Sequence, residues 1–348
     1  MDAARTLREH GLILGELEPG PAGSIADVGG VAVGHVTLEC TGLTAVVPGP
    51  VERLWAEPVP AGVAVLNGAG ELTGSLQIAE WGLMETPVYL TATMSVGRVY
   101  DGAVAAAMAV EPRIGVESVV IPVVGECDDS SLNDPRVAQV EPADVQRALA
   151  DAADAGAVVH GAVGAGAGMV CFGWKGGIGS SSRLTRGGHT VGVLVLANYG
   201  AGSNLRIDGV PVGKHLEAPP NSDRGPAGSC IAVVATDAPL GSAQLTRVAR
   251  RAGLGLARTG SVAHHGSGEI FVAFSTGARA ARGDPTPATL PDRELDPLFL
   301  ATVEATEEAV LNALWAAETT SGRDGQVVER LPHEPVLELL AAHGRLTA

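Results

Sequence analysis

Aromatic side chains are scarce: four Phe, four Trp and three Tyr make up 3% of 348 residues. Without rings at regular spacing there is no platform on which nucleobases could stack. Positive charge is also short. Twenty-three Lys and Arg face 39 Asp and Glu, a net charge of −16, whereas nucleic acid and anionic membrane both call for a basic surface. Cys40, Cys127, Cys171 and Cys230 are far apart with no CxxC, so neither a structural zinc site nor a disulfide framework is expected. The longest run free of charged side chains, 155–174, is broken by six glycines and holds His160, which argues against a membrane span. The opening MDAARTLREH lacks the apolar stretch of a signal peptide, so a soluble, cytoplasmic setting is expected. HExxH, GxSxG and GxxxxGK[ST] are all missing, GVPVGK at 209–214 is one residue short of a phosphate loop, and GAGAG at 164–168 lacks the GxGxxG spacing. His264 and His265, the one adjacent histidine pair, would point to opposite faces of a strand and read better as a loop pair than as metal ligands.

What is present is small and aliphatic. Apolar residues reach 46%, enough for a large core of Ala, Val, Leu and Ile, and 47 glycines mark many places where a side chain would be in the way. Strands are expected at 31–36, 63–66, 88–91, 118–124, 191–197, 230–235 and 270–274, each bounded by Gly, Pro, Asn or Asp. Helices are expected at 72–83, 103–110, 143–155, 239–251, 298–317 and 335–342. In the fourth of these, Asp237 is the expected cap, Pro239 falls in the first turn, and Gly253 is the expected stop. The alternation points to an α/β or α+β sheet protein whose strand order the pattern does not give.

The least regular stretch, EAPPNSDRGPAG at 217–228, allows neither helix nor ladder and runs straight into the strand-like SCIAVV. It reads either as a linker between two domains or as a functional loop inside one fold. The unchanged composition on its two sides favours the loop. At its end Gly228 precedes Ser229, and a permissive backbone there could bring the Ser229 hydroxyl onto the preceding carbonyl. An N-to-O acyl shift and hydrolysis would then leave Ser229 as a new N-terminus. Its amine, with a pKa of about 8, could take the proton of its own hydroxyl. On pattern alone, an ordinary Gly-Ser loop boundary is the simpler reading.

Longer motifs shift that balance. GSCIAVVATDAPLGSAQLTRVARRAGLGLARTGS at 228–261 resembles the processing site and following helix of the DmpA-type aminopeptidases, the L-aminopeptidase/D-esterase family to which the β-peptidyl aminopeptidases belong. DVGGVAVGH at 27–35, NGAGE at 67–71 with EWGL and ETP after it, VGAGAGMVCFGWKGGIGSSSR at 163–183, and NYG and DGVPVG before the loop resemble the family in the same order. The resemblance implies an αββα four-layer sandwich of the DmpA/ornithine acetyltransferase type, similar to the N-terminal-nucleophile hydrolases. It further implies one catalytic domain, 1–348, that cuts itself between Gly228 and Ser229 into chains 1–228 and 229–348. Ser229 matches the nucleophile, Asn198 the oxyanion donor, and Ser267 and Glu269 the Ser-x-Glu pair beside the nucleophile. Glu126 is the candidate for holding a substrate ammonium, because charge-assisted hydrogen bonds are the stronger ones; a surface acidic loop or a cation site is the competing reading. Asn67 is a second substrate-binding candidate, or a turn residue. Neither metal nor organic cofactor is called for.

Two stretches depart from the family. GECDDSSLND at 125–134 lacks the aromatic, a tyrosine, that assists at the family's site, leaving Asp128 or Ser131 at that position and Ser130, Ser131 or water as the replacement. Ala92 and Met94 stand where polar residues are expected. The function implied is a serine aminopeptidase or amidase acting on small peptides, aminoacyl amides or esters, and assembling as a homo-oligomer, a tetramer of processed heterodimers. An ornithine-acetyltransferase-type acyltransferase and an uncleaved binding protein are the alternatives.

Overall fold

Strands covered on both faces read as unbroken apolar runs, and those at 191–197, 230–235 and 270–274 lie side by side within one sheet. The computed structural model describes residues 6–137, 139–154, 156–217, 228–285 and 287–347. That sheet has six strands in the order Leu83–Met84, Val59–Gly68, Ser267–Ser275, Gly228–Thr236, Thr190–Asn198 and Gly177–Leu184. The Gly228 and Ser267 strands are parallel, joined by helix Ser242–Arg258, and the other pairings are antiparallel. A second sheet holds Ala32–Thr37, Gly42–Val47, Val88–Ala92 and Val123–Cys127 in that order.

The two sheets pack face to face. Val46, Leu90 and Val123 from the smaller meet Leu196, Ile231 and Val272 from the larger. Helices Val96–Val110 and Pro142–Ala153 cover the outer face of the smaller sheet through Val99, Ala103, Val145 and Ala148. Helices Ser242–Arg258 and Asp296–Trp315 cover the larger sheet through Leu245, Val248, Ala305 and Ala309. The result is the αββα four-layer sandwich. The two strands that follow the 217–228 stretch lie side by side in the larger sheet, with strands that precede it on both flanks; most of the stretch, 218–227, lies outside the described residues. Among the described residues no helix is long and apolar enough to cross a membrane.

Several elements differ from expectation. Strands Gly42–Val47 and Gly177–Leu184 had no counterpart in the pattern. The helix expected at 72–83 covers only Ser75–Trp81, because Leu72 bridges to Gly125 instead. The strand expected at 118–124 lies at Val123–Cys127. Helix Ser242–Arg258 begins beyond Asp237 and Pro239 and runs through Gly253. Asp237 accepts from the Thr190 backbone N–H at 2.8 Å rather than capping.

Candidate active site

The ends of several strands gather at one edge of the inter-sheet space. Asn198 closes its strand, Ser229 lies at the start of the next and pairs with it in register, and Glu126 lies near the end of its own. Together they line a cavity of about 790 Å³, well inside the usual range for small-molecule sites. Its wall also includes Gly70, Thr93, Met94, Asp128, Ser130, Ser131 and Val170.

Strand alternation sorts the candidate residues. Ser229 shares a face with Ile231 and Val233, and Asn198 with Leu196 and Leu194, all of which belong to the core between the sheets. The hydroxyl and the carboxamide therefore project to the same side. Ser267 and Glu269 alternate with Ile270 and Val272 and share the opposite face with Phe271 and Ala273, beneath the helices. Glu269 stands beside Cys230, one residue past Ser229, and neither it nor Ser267 lines the cavity. The structure thus brings Ser229, Asn198 and Glu126 together at the cavity and holds the Ser267–Glu269 pair behind the strand. Ser267 Oγ donates to Glu269 Oε1, whereas Glu269 Oε2 is buried without a hydrogen-bond partner among the described residues. Burial pushes the Glu269 carboxyl above its ordinary range, with the Ser267 hydroxyl pulling the other way.

Gly228 fits here because of a close approach. A Cβ would stand 2.0 Å from the Asn198 carbonyl oxygen. Asn198 is fixed at both ends: Oδ1 accepts from the Val170 backbone N–H at 2.8 Å, and Nδ2 donates to the Asp128 carbonyl at 2.9 Å. Among the described residues the second N–H of Nδ2 has no partner.

Glu126 is 3% exposed and belongs to a strand, not to a surface acidic loop. Its Oε1 accepts from the Glu71 backbone N–H at 2.9 Å, and its Oε2 accepts from Thr93 Oγ1. Burial raises its pKa, opposed by those two donors. Asn67 sits elsewhere: its Nδ2 donates to the carbonyls of His264 (2.8 Å) and Ser267 (2.5 Å), clamping the turn that leads into the Glu269 strand. His264 and His265 lie in that turn, as a loop pair. None of Tyr89, Tyr100 and Tyr199 lines the cavity; Tyr199 is packed in the core, bonded to Thr259 Oγ1 at 2.9 Å. Asp128, Ser130 and Ser131 supply polar lining near the position of the missing aromatic, and Met94, 67% exposed, lies bare in the wall. Lys175 was missed at the sequence level. It is fully buried behind Val170, its Nζ donating to three carbonyls, and no motif singles out a lysine in a glycine-rich run.

The model of peptidase family S58 matches residues 23–328. The beta-peptidyl aminopeptidase BapA of Sphingosinicella microcystinivorans is 39% identical over 95% of this chain and 91% of its own. A solved beta-aminopeptidase from Burkholderia sp. superposes with a TM-score of 0.89 at 41% identity, covering 98% of this chain and 99% of that one. The L-aminopeptidase D-Ala-esterase/amidase of Ochrobactrum anthropi, described as a prototype serine aminopeptidase and a variant of the Ntn hydrolase fold, gives 0.90 at 36% identity over 98% and 99%. Sandwich, cavity and end-to-end likeness agree, and the chain belongs to peptidase family S58, a hydrolase of the aminopeptidase kind.

Proposed function

We propose that this aminopeptidase is self-processing and works through an acyl-enzyme on Ser229. The observation that carries the reading is the shared face of the Ser229 hydroxyl and the Asn198 carboxamide at a cavity that also holds a buried acid, Glu126. In processing, Ser229 Oγ attacks the Gly228 carbonyl carbon and the C–N bond breaks to leave an ester. Water then hydrolyses the ester, freeing a Gly228 carboxylate and a Ser229 amine.

In turnover that amine accepts the hydroxyl proton as Oγ attacks the substrate carbonyl, and later passes it to the leaving amine or alcohol. The free N–H of Asn198 Nδ2 faces the developing oxyanion, a role worth about 3–4 kcal/mol. Glu269, through its unpartnered oxygen, receives the charge of the Ser229 ammonium from behind the strand, with Ser267 steadying it. Glu126 takes the free ammonium of the substrate. Asn67 serves by holding the turn that carries Ser267. The substrates are small peptides, aminoacyl amides or esters, and the processed chains assemble as a cytoplasmic homo-oligomer.

Intact mass of purified protein and a panel of aminoacyl p-nitroanilides test this. The wild type is expected as chains 1–228 and 229–348 with hydrolytic activity, and Ser229→Ala as one uncut, inactive chain. Two fragments from the variant would move the nucleophile elsewhere. An uncut wild type without hydrolysis would favour a binding protein.

A further inference from the structure

Lys175 is 0% exposed, and its partners are carbonyls rather than a carboxylate: Nζ donates to Gly166 (3.0 Å), Met169 (2.8 Å) and Gly176 (2.9 Å). An ammonium has three N–H donors, and all three are used. Burial is the largest influence and draws the group down to about 7, while three carbonyl acceptors around Nζ favour the charged form. An ammonium in such a place costs several kcal/mol unless it is satisfied, so its position calls for an explanation.

One of the three carbonyls supplies it. The Met169 C=O and the Val170 N–H belong to the same peptide group. The carbonyl end accepts from Lys175, and the N–H end donates to Asn198 Oδ1 at 2.8 Å. The carboxamide of Asn198, a residue that lines the cavity, continues the line to Nδ2. Two amides therefore stand in series with an ammonium at their head. Each hydrogen bond in such a chain polarises the next, so charge at Met169 O makes the Val170 N–H a stronger donor, and that in turn makes the Nδ2 N–H a stronger donor.

We infer that Lys175 is a positioning residue for the reaction: through the Met169–Val170 peptide it orients and polarises the Asn198 carboxamide, strengthening its hydrogen bond to the oxyanion. This rests on the proposed role of Asn198. The plain competitor is a clamp that only ties the glycine-rich segment 163–183 together, and the two differ in what Lys175 does once Asn198 is gone.

Lys175→Met and Asn198→Ala are made singly and together in the full chain, and kcat and KM are measured on alanine p-nitroanilide. The relay predicts that Lys175→Met lowers kcat roughly tenfold with KM little changed, and adds nothing further in the Asn198→Ala background. An equal loss in both backgrounds would reduce Lys175 to a clamp and overturn the inference. A readout free of turnover is the side-chain amide resonance of Asn198 in protein labelled with ¹⁵N-asparagine, assigned by its disappearance in Asn198→Ala. It is expected to move upfield in Lys175→Met, and an unmoved resonance overturns the relay. If the wild type hydrolyses nothing, the proposed function falls while the amide resonance still decides the relay. Should Lys175→Met not fold, Lys175→Gln, which keeps two donors without the charge, is judged by the same outcomes.

Discussion

Glu126 and Glu269 are acids held largely out of water, and each has its pKa raised by that burial. For an acid whose folded pKa lies above its unfolded value, the stabilising contribution is complete below the unfolded pKa, about 4.3, and disappears as pH rises through the folded one. At neutral pH both groups therefore cost stability, and the fold keeps them regardless. Glu126→Gln is expected to raise Tm more at pH 7 than at pH 4. The Glu71 N–H retains its acceptor, and the Thr93 hydroxyl can turn to accept instead of donate. The same variant should lower kcat/KM on aminoacyl p-nitroanilides roughly 10- to 100-fold, the worth of one charge-assisted hydrogen bond. A variant that lost stability at both pH values would show that Glu126 is a structural acid. The residue type at 126 was legible as a candidate ammonium acceptor. Its burial was not, because an edge strand in GECDD carries the composition of an acidic loop.

At the scale of elements, one of the two strands the pattern missed, Gly177–Leu184, is polar and glycine-rich yet buried. Gly177–Leu184 reads as a loop because its hydroxyls are satisfied by distant residues: Ser180 donates to Val193 O, Ser181 to Glu308 and Ser182 to Asp27. Only the fold reveals those partners. Gly179 is needed because a Cβ would lie 1.9 Å from the Ala309 carbonyl of the overlying helix. Gly255 behaves likewise in helix Ser242–Arg258, where a Cβ would meet Thr306 Cβ at 2.5 Å and Val303 O at 2.7 Å. Alanine there would gain about 1 kcal/mol of helix propensity but cost about 1–3 kcal/mol of overpacking. Gly255→Ala should therefore lower the urea midpoint, and a rise would mean that the helices part without strain.

Arg183, fully buried, bridges Glu304 at 3.3 Å and also pairs with Glu308. Burial pushes the Glu308 carboxyl up, but Arg183 and Arg8 beside it prevail and hold it below the ordinary range. Arg183→Met leaves two buried acids short of a partner and is expected to cost ~3–5 kcal/mol in urea unfolding. Adding Glu308→Gln should recover part of that loss.

For the whole molecule, the layer order came from the resemblance, and the alternation of elements agreed with it without fixing strand order. The order has a consequence for the processed enzyme. Chain 229–348 would supply two adjacent strands of the six-stranded sheet, with strands of chain 1–228 on both sides. The two chains are expected to elute as one species in size-exclusion chromatography and to separate only in denaturant. Elution as separate species without denaturant would contradict so shared a core.

A polypeptide terminus is ordinarily the loosest part of a protein, free to sample many positions before any partner can use it. A terminus created at Ser229 would instead begin life hemmed in, with the Asn198 backbone on one flank and the Gly268 backbone on the other. Folding would then already have met the entropic expense of aiming an amine and its hydroxyl before the first substrate arrives.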